Sequence, residues 1–352
     1  MSIQATLTNW LLRFTFKREC RGTINVPRAR GLVNKMAKRN PPVPKEVTHQ
    51  PVPAQPAQGL CAAEWLKVAA PQTTIVYFHG GGYFFCGLET HRPVCAYLAK
   101  HGQAQVLSVD YRLAPEHVFP SALDDTLAWW EALLAQGVDP RNVVFGGDSA
   151  GGGLTLATLV AIRDKGLPQP AGAFLFSPWT DLSCSGETMR TQAKADAMFE
   201  PQALPQAAAF YLAGQPANTP LASPLFADLR GLPPLMFHAS EHEILLDDSR
   251  RTHAKAQQQG VRSELHLKAR MPHVWPTMVL LPEARDSLKQ TLAFITRVTQ
   301  RPTRALALQK ARHDARMNWI KRIWWALIAL GFMTAGGVWA TWQPDKQLGE
   351  LA

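Results

Sequence analysis

Cysteine is sparse in this chain and poorly placed for structural chemistry. Cys20, Cys61, Cys86, Cys95 and Cys184 form an odd, scattered set of five without a C-x-x-C pair. Neither a disulfide framework nor a metal site is expected from them, and a reducing compartment fits best. Charge is scarce as well. Asp, Glu, Lys and Arg make up 18% of the 352 residues against 46% hydrophobic, which excludes a disordered tail and supplies more than one core of ordinary size requires. Acids are short at both ends in particular: residues 1–45 hold ten Lys/Arg against Glu19 alone, and residues 301–352 hold eight against three. The net charge of +10 is therefore terminal. No nucleic-acid motif accompanies it, so no nucleic-acid partner is expected, and basic flanks beside apolar helices point to anionic lipid instead. No cleavable signal is expected from the first residues given, because residues 7–16 are broken by Arg13, run into Lys17 and Arg18 and lack a small-residue cleavage pattern. No internal repeat is visible.

What remains reads as a short amphipathic helix at 7–16, followed by a segment over 40–58 whose six prolines predict an extended linker. From residue 60 short β-branched runs alternate with longer helical patterns, the signature of a mostly parallel sheet covered on both faces. The strands fall at 73–78, 105–110, 142–145, 172–177, 235–239 and 264–267. Helices at 92–100, 122–135, 152–164, 248–259 and 282–299 separate most of them. Between 183 and 231 the alternation lapses into a helical insertion. Residues 324–342 carry no formal charge, and nineteen helical residues reach about 28 Å, close to the thickness of a bilayer core. A transmembrane helix is expected at 323–343, with Trp324, Trp325, Trp339 and Trp342 near its ends. Arg312, Arg316, Lys321 and Arg322 before it against Lys346 after it predict a single-pass C-terminal anchor in the lipid bilayer and a cytoplasmic catalytic domain.

Gly147-Asp148-Ser149-Ala150-Gly151 follows an apolar strand and precedes an apolar helix, the context of a G-x-S-x-G elbow that exposes a serine nucleophile on a strained strand-to-helix turn. His79-Gly80-Gly81-Gly82 directly follows the 73–78 strand. Such a run turns backbone N–H groups toward a developing oxyanion, which side chains would obstruct. The chain order of a triad in this kind of fold is serine, acid, histidine, so the base is sought late. His273 lies between the last strand and the closing helix, whereas His266 alternates within that strand, His253 falls in a helix and His313 belongs to the basic flank. For the acid, Glu241, Glu243, Asp247 and Asp248 compete after the 235–239 strand. The two aspartates stand where a helix start would use them. Glu243 is preferred to Glu241.

These residues, with Asp110-Tyr111-Arg112-Leu113-Ala114-Pro115-Glu116, Phe119-Pro120, Asp124-Asp125 and Ser177-Pro178 with Asp181, resemble the hormone-sensitive-lipase group of α/β-hydrolase esterases, including acetyl esterases and carboxylesterases. The resemblance covers about residues 60–300. The acid motif of that group, D-x-L-x-D, lies on 243–247 with glutamate in its first position. The resemblance implies an α/β-hydrolase fold with a helical cap, supplied by the N-terminal segment and the 183–231 insertion. The expected layout is then a basic cap segment and linker over 1–58, a catalytic domain over 59–300, a basic juxtamembrane segment over 301–322, the span at 323–343 and a tail over 344–352.

The implied activity is hydrolysis of short to medium acyl esters without a cofactor. Ser149, Glu243 and His273 are its triad, and Gly81, Gly82 and Ala150 its oxyanion donors. His79, Gly80 and Asp148 support them, and Tyr83 and Phe84 line an apolar substrate mouth. A lipase or lactone hydrolase acting on membrane-derived esters, and a non-catalytic ligand-binding protein on the same fold, are the alternatives.

Overall fold

The computed structural model describes residues 1–299 and, beyond them, Met317. Three helices come first, α1 (Ile3–Phe14), α2 (Phe16–Glu19) and α3 (Val26–Ala37). Ser2 and Asn25 cap α1 and α3 by accepting from Ala5 and Arg28 N–H, which satisfies amides that a helix start leaves without partners. Two short strands follow, β1 (Thr48–Val52) and β2 (Ala63–Lys67), and then β3 (Thr73–Phe78), α4 (Leu88–Gly102), β4 (Ala104–Val109), α5 (Ser121–Ala135), β5 (Val143–Asp148), α6 (Ser149–Asp164) and β6 (Gly172–Phe176). The chain continues through α7 (Thr188–Thr191), α8 (Ala203–Leu212), β7 (Leu235–Ser240), α9 (Leu246–Gln258), β8 (Ser263–Lys268) and α10 (Pro282–Val298).

The eight strands form one sheet in the order β1-β2-β4-β3-β5-β6-β7-β8. β3 to β8 pair in parallel, and β1 and β2 join antiparallel at one edge. Every residue of β3, β5, β6 and β7 is buried, as strands covered on both faces require. Helix α6 has a buried surface all round from 149 to 162, so it lies inside the molecule and brings its first residue to the centre of the sheet's C-terminal edge. Residues Met1–Thr299 form one compact unit.

Two strands lie outside the expected set. β1 falls within the proline-rich segment and tolerates Pro51 because it is an exposed edge. β2 points Glu64 inward, where Arg92 and His49 pair with it, so its alternation does not look apolar. The membrane-crossing helix expected at 323–343 is not part of the observed fold. No described helix is long and apolar enough to cross a membrane, and 301–322, 323–343 and 344–352 lie outside the described residues apart from Met317. An uncharged run of sufficient length is necessary for a span but does not make one. The localisation drawn from it, a single-pass anchor with a cytoplasmic catalytic domain, falls with it.

Candidate active site

The end of β5 and the start of α6 meet at Ser149, whose φ of 51° lies in the left-handed region. Few side chains accept that conformation without strain. It is held by crowding on the far side of the turn: a Cβ at Gly151 would run into the carbonyl oxygens of Phe78 and His79. The end of β3 and the first turn of α6 therefore touch backbone to backbone, which only glycine allows. The Ser149 hydroxyl lies 2.9 Å from His273 Nε2, and His273 Nδ1 lies 2.6 Å from Glu243 Oε2. All three side chains are buried. Because a carboxylate only accepts, Nδ1 carries the proton and Nε2 presents its lone pair to the serine. Glu243 is fixed in turn by Ser240 N–H, which donates to Oε1 at 2.9 Å. Glu241 is exposed. The loop of His273 is pinned where Val274 N–H donates to Ser177 Oγ at 3.1 Å, and its ring stands T-shaped to Phe199 with centroids 4.9 Å apart.

The glycine loop runs beside this elbow and is tied to it through Asp148. Its carboxylate accepts from Tyr77 OH at 2.8 Å and from Gly80 N–H at 3.1 Å, with His91 Nε2 at 3.2 Å. Burial alone would raise this carboxyl, but the His91 imidazole and the hydrogen bonds from His91 and Tyr77 hold it below the ordinary carboxylate range. Among the described residues, Gly80 N–H thus has its acceptor, whereas Gly81 and Gly82 N–H have none within the protein. Gly81, at φ 112°, accepts from Phe84 and Phe85 N–H, which closes the loop into a turn. Ala150 is the second residue of α6, where the helix leaves its N–H groups unpaired and its dipole positive.

His79 stacks on Tyr111 at 4.3 Å and donates from Nδ1 to Gly80 O at 2.7 Å. Burial and the neighbouring His91 push its pKa down to about 3, so it is a neutral spacer. Tyr83 and Phe84 are buried against α8, Tyr83 stacked on Tyr211 at 3.8 Å and Phe84 against Phe210. Asp247 and Asp248 cap other segments instead of their own helix. Asp247 accepts from Thr188 N–H, and Asp248 from Thr180 and Asp181 N–H. Ser177 was quoted only as part of the resemblance, without the role that it has here in pinning the His273 loop, and sequence reasoning missed Tyr77, His91 and Ser240. None carries a motif, and each acts through a partner distant along the chain or through a turn visible only when folded. Among the described residues no group of His, Cys, Asp and Glu could hold a metal ion.

Three comparisons bear on this geometry. A family model described as alpha/beta hydrolase fold matches residues 75–277. An acetyl-hydrolase from Streptomyces hygroscopicus is 39% identical over 68% of this chain and 81% of its own length. An esterase from Acinetobacter venetianus is 38% identical over 66% and 78%. The crystal structure of an esterase from the bacterial hormone-sensitive lipase family superposes with a TM-score of 0.79 at 35% identity, over 85% of this chain and 99% of that one.

Proposed function

The chain belongs to the alpha/beta hydrolase fold family, in its hormone-sensitive-lipase-like group, and is a carboxylic ester hydrolase; on that premise we propose that it works through Ser149, His273 and Glu243 by an acyl-enzyme route. The observation that carries this reading is the buried imidazole bridging a serine hydroxyl at 2.9 Å and a carboxylate at 2.6 Å. Ser149 Oγ attacks the ester carbonyl carbon while its proton passes to His273 Nε2. The tetrahedral intermediate collapses, the C–O bond to the alcohol breaks, and the imidazolium returns the proton to the leaving oxygen. Water then repeats the sequence on the acyl-serine, releasing the acid and restoring the hydroxyl. Glu243 holds the Nδ1–H tautomer and balances the imidazolium. The amides of Gly81, Gly82 and Ala150 take the oxyanion, each donor contributing about 3–4 kcal/mol at the transition state.

In this reading residues 59–300 are the catalytic domain, and the N-terminal helices together with residues 183–231 form its cap. Hydrogen bonds support that grouping: Arg13 donates to Lys194 O, Lys17 Nζ to Ala193 and Asp196 O, and Gln206 Nε2 to Gly22 O. Short to medium acyl esters are the proposed substrates, in keeping with the name of the acetyl-hydrolase relative and with the aromatic packing that fills the space around Tyr83 and Phe84. Rates on acyl esters of increasing chain length test that part, and a continuous rise to long chains would overturn it. The nucleophile is tested by Ser149→Ala. The variant is expected to lose at least about 10⁴-fold in kcat with its thermal midpoint unchanged, and appreciable turnover would end the assignment.

A further inference from the structure

Helix α1 is apolar on two sides, and only one of them is packed. Ala5 is buried against Met271, Trp275, Leu281 and Ala284, and Leu12 against Ala197 and Met198. On the opposite side Ile3, Leu7, Trp10, Leu11 and Phe14 stand between 52% and 79% exposed. At 100° per residue these five fall in one stripe about 100° wide, the width that a helix normally buries. Proteins that live wholly in water seldom leave so large an apolar strip open.

Charge identifies what suits the strip. Past Phe14 the surface becomes a groove of about 440 Å³ lined by Arg13, Lys17, Arg18, Arg21 and Lys194. Some of this charge is engaged within the fold: Lys17 is buried on two carbonyls, and Arg21 pairs with the one acid of the groove, Glu200. Arg18 and Lys194 are exposed. A protein partner would answer the apolar stripe with a groove and the cations with scattered carboxylates. A bilayer of anionic lipid offers both complements in one plane, acyl chains for the stripe and a layer of negative headgroups for the cations.

We propose that α1 docks this protein on an anionic lipid surface, its apolar stripe sunk to the acyl boundary and the cations beside Phe14 on the headgroups. A helix of 12 residues lies in the interface and does not cross it. Its inner face braces the candidate base: Ala5 packs on Met271 and Trp275, which flank His273, and Leu12 on Met198, next to the Phe199 ring that meets the imidazole. On the proposed function, docking then holds the catalytic loop against the lipid surface.

The test reads binding and needs no turnover, so it stands or falls apart from the triad. The full chain is sedimented with vesicles of phosphatidylcholine alone and of phosphatidylcholine with about 30 mol% phosphatidylserine. Binding is expected to be at least about tenfold tighter to the anionic vesicles and to weaken in about 0.5 M salt. The triple substitution Leu7→Glu, Leu11→Glu, Phe14→Glu is expected to lower it at least about tenfold, while hydrolysis of a water-soluble short-chain ester stays within about twofold, since these side chains touch no reacting group. Should the triple variant fold poorly, the pair Arg18→Glu, Lys194→Glu serves instead, with binding lost on anionic vesicles and unchanged on neutral ones. Wild-type protein that stays in the supernatant, or variants that sediment like wild type because residues 324–342 make the contact, would overturn the proposal. So would a wild-type dimer that the triple variant dissociates while vesicle binding is unaffected, since the stripe would then be a self-association face.

Discussion

At the scale of single residues, the position of one carboxylate decides how the imidazole can act. Glu243 Oε2 at 2.6 Å from His273 Nδ1 leaves Nε2 as the acceptor, and a neutral amide in its place can turn an N–H toward the ring and favour the wrong tautomer. Glu243→Gln is therefore expected to lower kcat by about 10³- to 10⁴-fold. Glu241→Gln, at an exposed site, is expected to change it less than about twofold. Steady-state kinetics on one soluble ester compare the two, and reversed effects would refute the assignment. Both glutamates were legible as candidates. What periodicity does not carry is which of two side chains, two positions apart in one loop, turns inward to a histidine 30 residues away.

At the scale of elements, the geometry depends on how closely β3 and α6 approach. Gly151 is the contact point, and the atoms that a Cβ would meet are the carbonyl groups of Phe78 and His79, which cannot swing aside as a side chain end can. Gly151→Ala is expected to cost about 3 kcal/mol and to lower the thermal midpoint by several degrees. Gly22→Ala, where an added methyl meets nothing within 4 Å, is expected to stay within about 0.5 kcal/mol. Calorimetry on both variants separates crowding from a general dislike of replaced glycines. An equal loss in the two would mean that the close approach does not hold the elbow. The same element scale explains the missed edge. β1 and β2 are recognised by their partners, not by their own pattern, because an edge strand buries little and the inward Glu64 is satisfied by Arg92 and His49.

For the molecule as a whole, buried ionisable groups set how stability depends on pH. His79 and His238 are both held at about 3, chiefly by burial and then by a neighbouring histidine, whereas the unfolded chain protonates them near the ordinary value of 6.5. The unfolded state thus binds more protons below that value. Stability present above about pH 6.5 is lost as pH falls toward 3, at about 1.4 kcal/mol per pH unit for each histidine. Asp248 acts on the other side. Burial and the adjacent Asp181 raise it from 3.8 to about 8, so its contribution is whole below the ordinary carboxylate value, shrinks steadily above it and is gone once pH has risen through about 8. Denaturant midpoints are expected to fall on both sides of a maximum near pH 6.5, and Asp248→Asn to flatten the fall between about 6.5 and 8 and to steepen the rise below it, where the carboxyl opposes the two histidines. An alkaline arm unchanged in that variant would assign it to other groups.

The amino-acid sequence alone determined the alternation of strands and helices, the six parallel strands, and the glycine loop and serine turn at strand ends, because each is written in neighbouring residues whose burial and backbone freedom are local properties. Tertiary structure decided the rest. It set Ser149 and His273 2.9 Å apart across 124 positions, chose Glu243 over Glu241 as the carboxylate facing the ring, gathered Tyr77, Gly80 and His91 on Asp148, and turned one apolar face of α1 outward. The membrane span read at 323–343 shows the same boundary from the other side, since a run without charge states only what a segment tolerates. Which groups meet depends on chain crossings that bring distant positions together, and these crossings follow from packing the whole sheet and its helices, not from any segment taken singly.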